Sequence, residues 1–263
     1  MDEEDRMKRS PIYTIGIGLF WLMAACAPSD NFVVHHQATG PIMTNCYLLY
    51  DETSKEAALF DVGGPIDSLL TYIDENDLKL KYIFATHCHM DHVEGIPVVK
   101  KQFPDASVCF NREEYEDLQV FREWFEENIP PEELAEMKRV PGIAKWFSMD
   151  LADIGEPDIW LEDDKTYRLG GLKIKTILSP GHSRGSMCFI VGDVLFSGDV
   201  LFYRRVGRTD LLGGSSEAQV RSVQRLYERL PDETKVYPGH GQITDIGSEK
   251  TENRDVTTDT SHL

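Results

Sequence analysis

"THCHMDH", Thr86–His92, packs three histidines and an aspartate into seven consecutive positions. Imidazoles and a carboxylate side by side make a poor core and an odd surface. They make sense around a cation. His87 and His89 are two apart, so in an extended segment both point the same way, and Cys88 between them points toward the core. Cys88 is therefore not counted as a ligand. Asp91 and His92 follow where the chain turns, and adjacent residues there diverge toward different sides of a site.

The cluster hangs off the end of a strand, "KYIFAT" (Lys81–Thr86). Three other clusters also follow strands. "SPGHSRG" (Ser179–Gly185) comes after "LKIKTIL" (Leu172–Leu178), "SGD" (Ser197–Asp199) after "VLF" (Val194–Phe196), and "PGHG" (Pro238–Gly241) after "KVY" (Lys235–Tyr237). Loops at strand ends are where rigid scaffolds put function. Adding His182, Asp199 and His240 brings the ligand set to five histidines and two aspartates. One tetrahedral zinc cannot use seven. Two metals can, each held by three protein ligands with one aspartate shared.

Elsewhere the chain alternates β-like and helical runs. "CYLLY" (Cys46–Tyr50) and "AALFDV" (Ala57–Val62), joined by the polar "DETSKE", read as a hairpin. Ile66, Leu69, Leu70 and Ile73 form one face of a helix that Pro65 starts. "SVCF" (Ser107–Phe110) and "CFIV" (Cys188–Val191) are short strands. Residues 112–150 are helical, acidic and aromatic (Tyr115, Phe121, Trp124, Phe125, Trp146, Phe147), and "IPPEE" (Ile129–Glu133) divides them in two. They read either as a lid over a pocket or as helices packed on the body. A last clear helix, "SEAQVRSVQRLYERL", carries a capping box of Ser216 and Gln219, with Val220, Val223, Tyr227 and Leu230 on one face. From Glu249 the tail is expected to be loosely held. The fold class is α/β: a sandwich of mixed sheets flanked by helices brings the four loops together along one edge.

The bulk numbers narrow the partners. With 263 residues, 41% of them hydrophobic, the chain can bury a substantial core. Its formal net charge of −18 argues against a phosphate-backbone partner, so no nucleic acid is expected. A small-molecule substrate is. Residues 1–30 differ in kind. After the basic "MKRS", the apolar Ile12–Ala25 is short for a membrane span and suits an export signal. "LMAAC" (Leu22–Cys26) resembles a bacterial lipoprotein signal, with Cys26 lipidated. A plain signal, an anchor helix or a buried helix are the alternatives. The expected organisation is an export segment and linker over 1–30, a metal-dependent domain over 31–253 with an insert at 112–150, and a flexible tail over 254–263. The expected location is the bacterial cell envelope, with membrane contact only through the N-terminal segment, or the cytoplasm if that segment is no signal. The five cysteines lack CxxC pairing, so no disulfide framework is indicated. His35, His36 and His262, each outside the clusters, read as surface or satisfied core residues.

Taken together, HxHxDH (His87–His92), a later PGH (Pro180–His182), a GD (Gly198–Asp199) and a final PGH (Pro238–His240) resemble the metallo-β-lactamase superfamily, from about Asn31 to Asn253. The resemblance implies an αββα sandwich of two mixed sheets. It implies one metal on His87, His89 and His182, a second on Asp91, His92 and His240, and Asp199 bridging them. Asp61, in "LFDVGG", would support the ligand loop from behind. The implied cofactors are two zinc ions, with iron or manganese as alternatives. Two such ions about 3.5–4 Å apart share a water and lower its pKa toward roughly 7. Asp91 would orient that nucleophile and pass its proton to the leaving group.

A bridging Asp199 and "GRTD" (Gly207–Asp210) resemble the glyoxalase II branch, the hydroxyacylglutathione hydrolases, and also the one-iron persulfide dioxygenases. "PGHG" and "TDIGSEKTEN" (Thr244–Asn253) favour the hydrolase side. Glyoxalase II enzymes add a helical domain with basic residues for glutathione, whereas here 22 residues follow Gly241. Arg184, Arg204, Arg205 and above all Arg208 are candidate anchors for an anionic substrate, with structural ion pairs as the alternative reading. The expected activity is zinc-dependent hydrolysis of thioesters or esters. The competing readings are a mononuclear iron persulfide dioxygenase, an exported lactonase or β-lactamase, a tRNA-processing nuclease, and a metal-binding surface protein with a vestigial site. Acidity argues against the nuclease, and the filled ligand set against the vestige.

Overall fold

The computed structural model of the chain describes residues 31–256. The export-signal and Cys26 lipidation readings, and residues 257–263 of the expected tail, lie outside the described residues. The first half runs β1 (Phe32–Thr39), β2 (Thr44–Asp51), β3 (Glu56–Phe60), α1 (Asp67–Glu75), β4 (Lys79–Phe84), α2 (Met90–Val93), α3 (Ile96–Gln102) and β5 (Ser107–Asn111). Helices α4 (Arg112–Asn128), α5 (Pro131–Met137) and α6 (Pro141–Ser148) follow, then a 3₁₀ turn (Leu151–Asp153) and β6 (Ile159–Leu161). The second half runs β7 (Thr166–Leu169), β8 (Leu172–Leu178), β9 (Met187–Val191), β10 (Val194–Gly198), β11 (Leu201–Phe202) and β12 (Arg205–Val206). It ends with α7 (Ser216–Arg229), β13 (Lys235–Pro238), β14 (Thr244–Asp245) and α8 (Ile246–Glu252).

Both main sheets are mixed. The first, in order β1-β2-β3-β4-β5-β6, is antiparallel up to β3 and parallel beyond it. The second, β14-β13-β10-β9-β8-β7, is antiparallel except for the parallel pair β10 and β13. The period-two alternation of strand side chains divides the core into three layers. On β2, Tyr47 and Leu49 face inward, joining Phe60, Phe84, Phe189 and Phe196 between the sheets. The rings of Phe60 and Phe196, one from each sheet, stack at 3.9 Å. Each such ring contributes about 1.5–3 kcal/mol on burial. Cys46, Leu48 and Tyr50 face outward against Leu70 and Ile73 of α1, Val99 of α3 and Leu118 of α4. Leu195 and Val236 of the second sheet pack outward on Val223, Leu226 and Tyr227 of α7 and on Ile246 of α8. This is the αββα sandwich. Among the described residues no helix is long and apolar enough to cross a membrane.

Four local expectations need correction. Helix α1 starts at Asp67 rather than Pro65, because the Pro65 carbonyl is turned back to accept from Thr39 Oγ1 at 2.6 Å. The cap of α7 is Ser215, whose Oγ accepts from the Ala218 N–H, while Gln219 turns inward and donates to the Val200 carbonyl at 2.7 Å. The insert is three helices, not two, because Pro141 starts a new helix as well as Pro131, each at the position where a missing N–H costs nothing. The chain beyond Glu249 is held rather than loose as far as Val256. Glu249 is wholly buried, accepts from Arg204 Nη1 and Thr244 Oγ1 at 2.6 Å each, and Val256 is packed beneath α7 and α8.

Candidate metal centre

The loop after β4 is held at both ends by Asp61. Its carboxylate accepts from the Thr86 N–H (2.8 Å), Thr86 Oγ1 (2.9 Å) and His92 Nδ1 (2.8 Å). Asp61 itself takes a left-handed backbone, φ 57°. His89 is extended and caps the four-residue α2, and that turn sends Asp91 and His92 to a different side from His87 and His89. Cys88 points into the core, as expected.

Three imidazoles have their outer nitrogen tied down. His87 Nδ1 donates to Thr86 Oγ1 (3.0 Å), His92 Nδ1 to Asp61, and His182 Nδ1 to the Arg208 carbonyl (2.7 Å). Fixing the proton there turns an Nε2 lone pair inward on each ring, the arrangement that orients metal-binding histidines. His182 Nε2 lies 3.1 Å from His87 Nε2 and 2.9 Å from His89 Nδ1. Asp91 Oδ2 lies 3.1 Å from His92 Nε2 and 3.2 Å from His240 Nε2. Asp199 reaches both groups: Oδ2 is 3.6 Å from His182 Nε2 and 3.5 Å from His240 Nε2, and Oδ1 is 3.4 Å from His92 Nε2. The ligand atoms of His87, His89 and His182, of Asp91, His92 and His240, and of His87, His92 and Asp199 each fall within 4.8 Å of one another.

These donors fit divalent metals. Lone pairs facing one another are repulsive unless a cation lies between them, and nitrogens 2.0–2.1 Å from a tetrahedral zinc sit about 3.3 Å apart. Asp199 Oδ1 is buried with no hydrogen-bond donor, a state a carboxylate oxygen tolerates next to a cation. Burial, followed by the crowding of neighbouring imidazoles, holds His87 and His89 well below their ordinary pKa. Burial lowers His182 too. All three favour the neutral form that binds metal. For Asp91, burial would raise the pKa, but His92 and His240 outweigh it and hold the carboxyl well below its usual range. Burial opposes charge on His92 and His240 as well, and there the acidic side chains around them win and raise both.

Neighbours complete the centre. Gly239 and Gly207 are glycines of necessity: a Cβ on Gly239 would sit 2.1 Å from Asp199 Oδ1, and one on Gly207 would sit 1.9 Å from the Asp199 carbonyl oxygen and 2.9 Å from His182 Nδ1. Three contributors gave no signal in the sequence. Thr44 Oγ1 donates to Asp91 Oδ2 (2.8 Å). Asn45 Nδ2 donates to the carbonyls of Pro238 and Gly241, 2.9 Å each, and so holds the His240 loop. Glu114, buried at the start of α4, accepts from the Cys88 N–H (2.7 Å) and the Gly185 N–H (2.6 Å), joining two ligand loops. None has a ligand-type spacing, so only the fold reveals them.

A cavity of about 420 Å³ opens over His89, Asp91, His182, Asp199 and His240, with the insert on one side of it. The candidate arginine anchors are all in ion pairs: Arg184 with Asp117, Arg204 with Glu249, Arg205 with Asp255 and Arg208 with Asp210. Of the four, Arg208 lines the cavity. His36 bonds Asn45 Oδ1 (2.7 Å) and His35 packs on the Tyr72 ring, both away from the ligand clusters.

Two mixed sheets with histidine and aspartate clusters on the loops at one edge define a metallo-hydrolase of the metallo-β-lactamase fold. The chain belongs to the metallo-beta-lactamase superfamily, whose family model matches residues 39–240. It is similar to the hydroxyacylglutathione hydrolase GloC of Haemophilus influenzae, 32% identical over 212 residues, 80% of this chain and 91% of that one. Among solved structures it is similar to BLEG-1 B3 metallo-beta-lactamase, 32% identical with a TM-score of 0.67, covering 84% of this chain and 98% of that one. It is also similar to TTHA1623 in a di-iron-bound form, 31% identical with a TM-score of 0.64 and the same coverage of 84% and 98%.

Proposed function

We propose that the chain is a dinuclear-metal hydrolase of thioesters or esters. The observation that carries this reading is the position of Asp199, in reach of both ligand clusters and under the open cavity. His87, His89 and His182 would hold one metal, Asp91, His92 and His240 the other, and Asp199 both. Bound metals would supply hydroxide near neutral pH and a Lewis acid for the substrate carbonyl. Asp91, fixed by Thr44, orients the attacking water, accepts its proton and delivers it to the leaving thiol or alcohol. Asp61 keeps the loop and the His92 tautomer in place. The nitrogen and carboxylate donors, with no thiolate, suit zinc or iron, and the di-iron form of TTHA1623 supports keeping iron beside zinc. The resemblance to GloC supports thioester hydrolysis.

Elemental analysis of the purified chain together with a thioester assay tests the reading. Two metals per chain, and turnover that disappears in His89→Ala, are expected. One iron per chain, oxygen consumption with a persulfide and no thioester cleavage would replace it with the dioxygenase reading. The similarity to BLEG-1 B3 metallo-beta-lactamase favours a second reading, β-lactam hydrolysis, so β-lactams belong in the same assay, with lactones beside them. A higher kcat/KM for one of them would transfer the assignment. For the N-terminal segment we propose export and lipid attachment at Cys26; labelled palmitate incorporated by the parent but not by Cys26→Ser is the expected result.

A further inference from the structure

We infer that the substrate's acyl group is apolar, a medium-length aliphatic or aryl chain, bound along the aromatic insert; this rests on the hydrolase reading above. The track begins at the ligands. The Phe121 ring lies 4.9 Å from the His89 ring, Phe125 lies 5.7 Å beyond Phe121, and Phe147 lies 5.9 Å beyond Phe125. Met137 and Trp146 extend the same wall. A carbonyl seated at the clusters therefore has mostly carbon surface waiting for its substituent, the Trp146 Nε1–H aside.

Besides the ligands, the polar residues lining the cavity are Arg122 and Arg208. Arg208 is engaged by two hydrogen bonds to Asp210, at 2.6 and 2.8 Å, whereas Arg122 donates through Nη2 to the Met149 carbonyl and leaves its Nε without a partner. The insert itself, residues 112–150, holds eleven Asp and Glu against five Lys and Arg, so its field repels anions. A glutathione moiety brings two carboxylates, against which the described cavity wall offers one guanidinium without a carboxylate partner, Arg122. At about 420 Å³ the space matches pockets that enclose whole small ligands, far more than an acetyl group fills.

The test uses the full chain, metal-loaded, with acetyl, butanoyl, hexanoyl and octanoyl thioesters of N-acetylcysteamine, and with lactoylglutathione as the polar comparator. A fully buried methylene is worth about fourfold, so octanoyl should exceed acetyl in kcat/KM by about a hundredfold or more even with partial burial. Phe125→Ser should cut that octanoyl-to-acetyl ratio at least about tenfold, and Phe125→Leu, which restores carbon surface, should recover most of it. A flat series, or a preference for lactoylglutathione, overturns the inference and leaves the hydrolase reading standing. Cleavage of none of the compounds sinks the hydrolase reading instead. The acyl track is then judged by tryptophan quenching with S-ethyl and S-octyl thioethers of the same thiol: tighter octyl binding upholds it, and equal binding overturns it.

Discussion

Glu114 binds no metal in this reading, yet the loops carrying His89 and His182 are joined through it. Its two carboxylate oxygens accept from the Cys88 and Gly185 N–H groups, which sit in those two loops. Burial pushes its pKa up even so. Removing the side chain leaves two buried N–H groups unpaired, so Glu114→Ala should cost about 2–5 kcal/mol in urea unfolding and release metal more readily to a chelating dye. Glu114→Gln keeps one accepting oxygen and should lose less on both measures. An alanine variant as stable and as metal-retentive as the parent would mean the loops hold themselves. Gly239 makes the opposite demand, for space rather than for a bond. The Cβ of Gly239→Ala would push on Asp199 Oδ1 and His92 Cε1, at 2.1 and 2.8 Å. The core lies elsewhere, so far-UV circular dichroism should be unchanged. Displacing a carboxylate by about an ångström can cost on the order of 10²-fold in rate, and thioester kinetics on the folded variant measure that.

Among the elements, α6 leans directly on the ligand segment. Lys145 Nζ sits 3.6 Å from Glu94 Oε1, two residues past His92. Glu94 is buried, and that burial raises its pKa although Lys145 pulls the other way. The folded chain therefore holds this proton to higher pH than the unfolded chain, whose glutamate titrates near about 4.3. Above that value the native state binds more protons, so this group makes stability fall as pH rises through the window. Glu94→Gln abolishes the effect. Its Tm relative to the parent should climb between about pH 4 and about pH 7, and a constant difference would mean Glu94 ionises freely. The elements also divide by how visible they were beforehand. Buried runs such as β2, β4 and β8 announce themselves, because apolar side chains fill both faces or alternate cleanly. Strands β1, β6 and β7 do not: they are sheet edges, short or mixed in polarity, and they exist by pairing with neighbours. The seven imidazoles and carboxylates were legible because their chemistry is unusual in a core. Thr44 and Glu114 were not, since an ordinary hydroxyl or carboxylate gains its role only when the chain folds back from far away. The tail misled for the same reason, its anchor being an ion pair between the buried Glu249 and the partly buried Arg204, 45 residues apart.

For the whole molecule, the centre is where two independent sheets are tied together. His87, His89, Asp91 and His92 follow β4 of the first sheet. His182 lies between β8 and β9, Asp199 follows β10, and His240 follows β13, all of the second. Protein contacts already cross here, through the bridge of Thr44 with His240 and the Asn45 bonds to the same loop. Metals held by both sets of side chains would cross-link the halves of the sandwich and stabilise the folded chain alone, by about 2.7 kcal/mol at a free concentration a hundredfold above Kd. For a chain of this size that is a rise in Tm of about 5–10 °C. Thermal scans of chelator-treated protein with added zinc or iron should show the rise. It should shrink in Asp199→Ala, which removes the side chain that reaches both clusters, and persist in Lys101→Ala, which changes an exposed side chain on α3. A parent Tm indifferent to metal, or an Asp199→Ala shift as large as the parent's, would mean that the seven side chains do not join the sheets through a cation, and that hydrogen bonds from Thr44, Asn45 and Asp61 hold this edge by themselves.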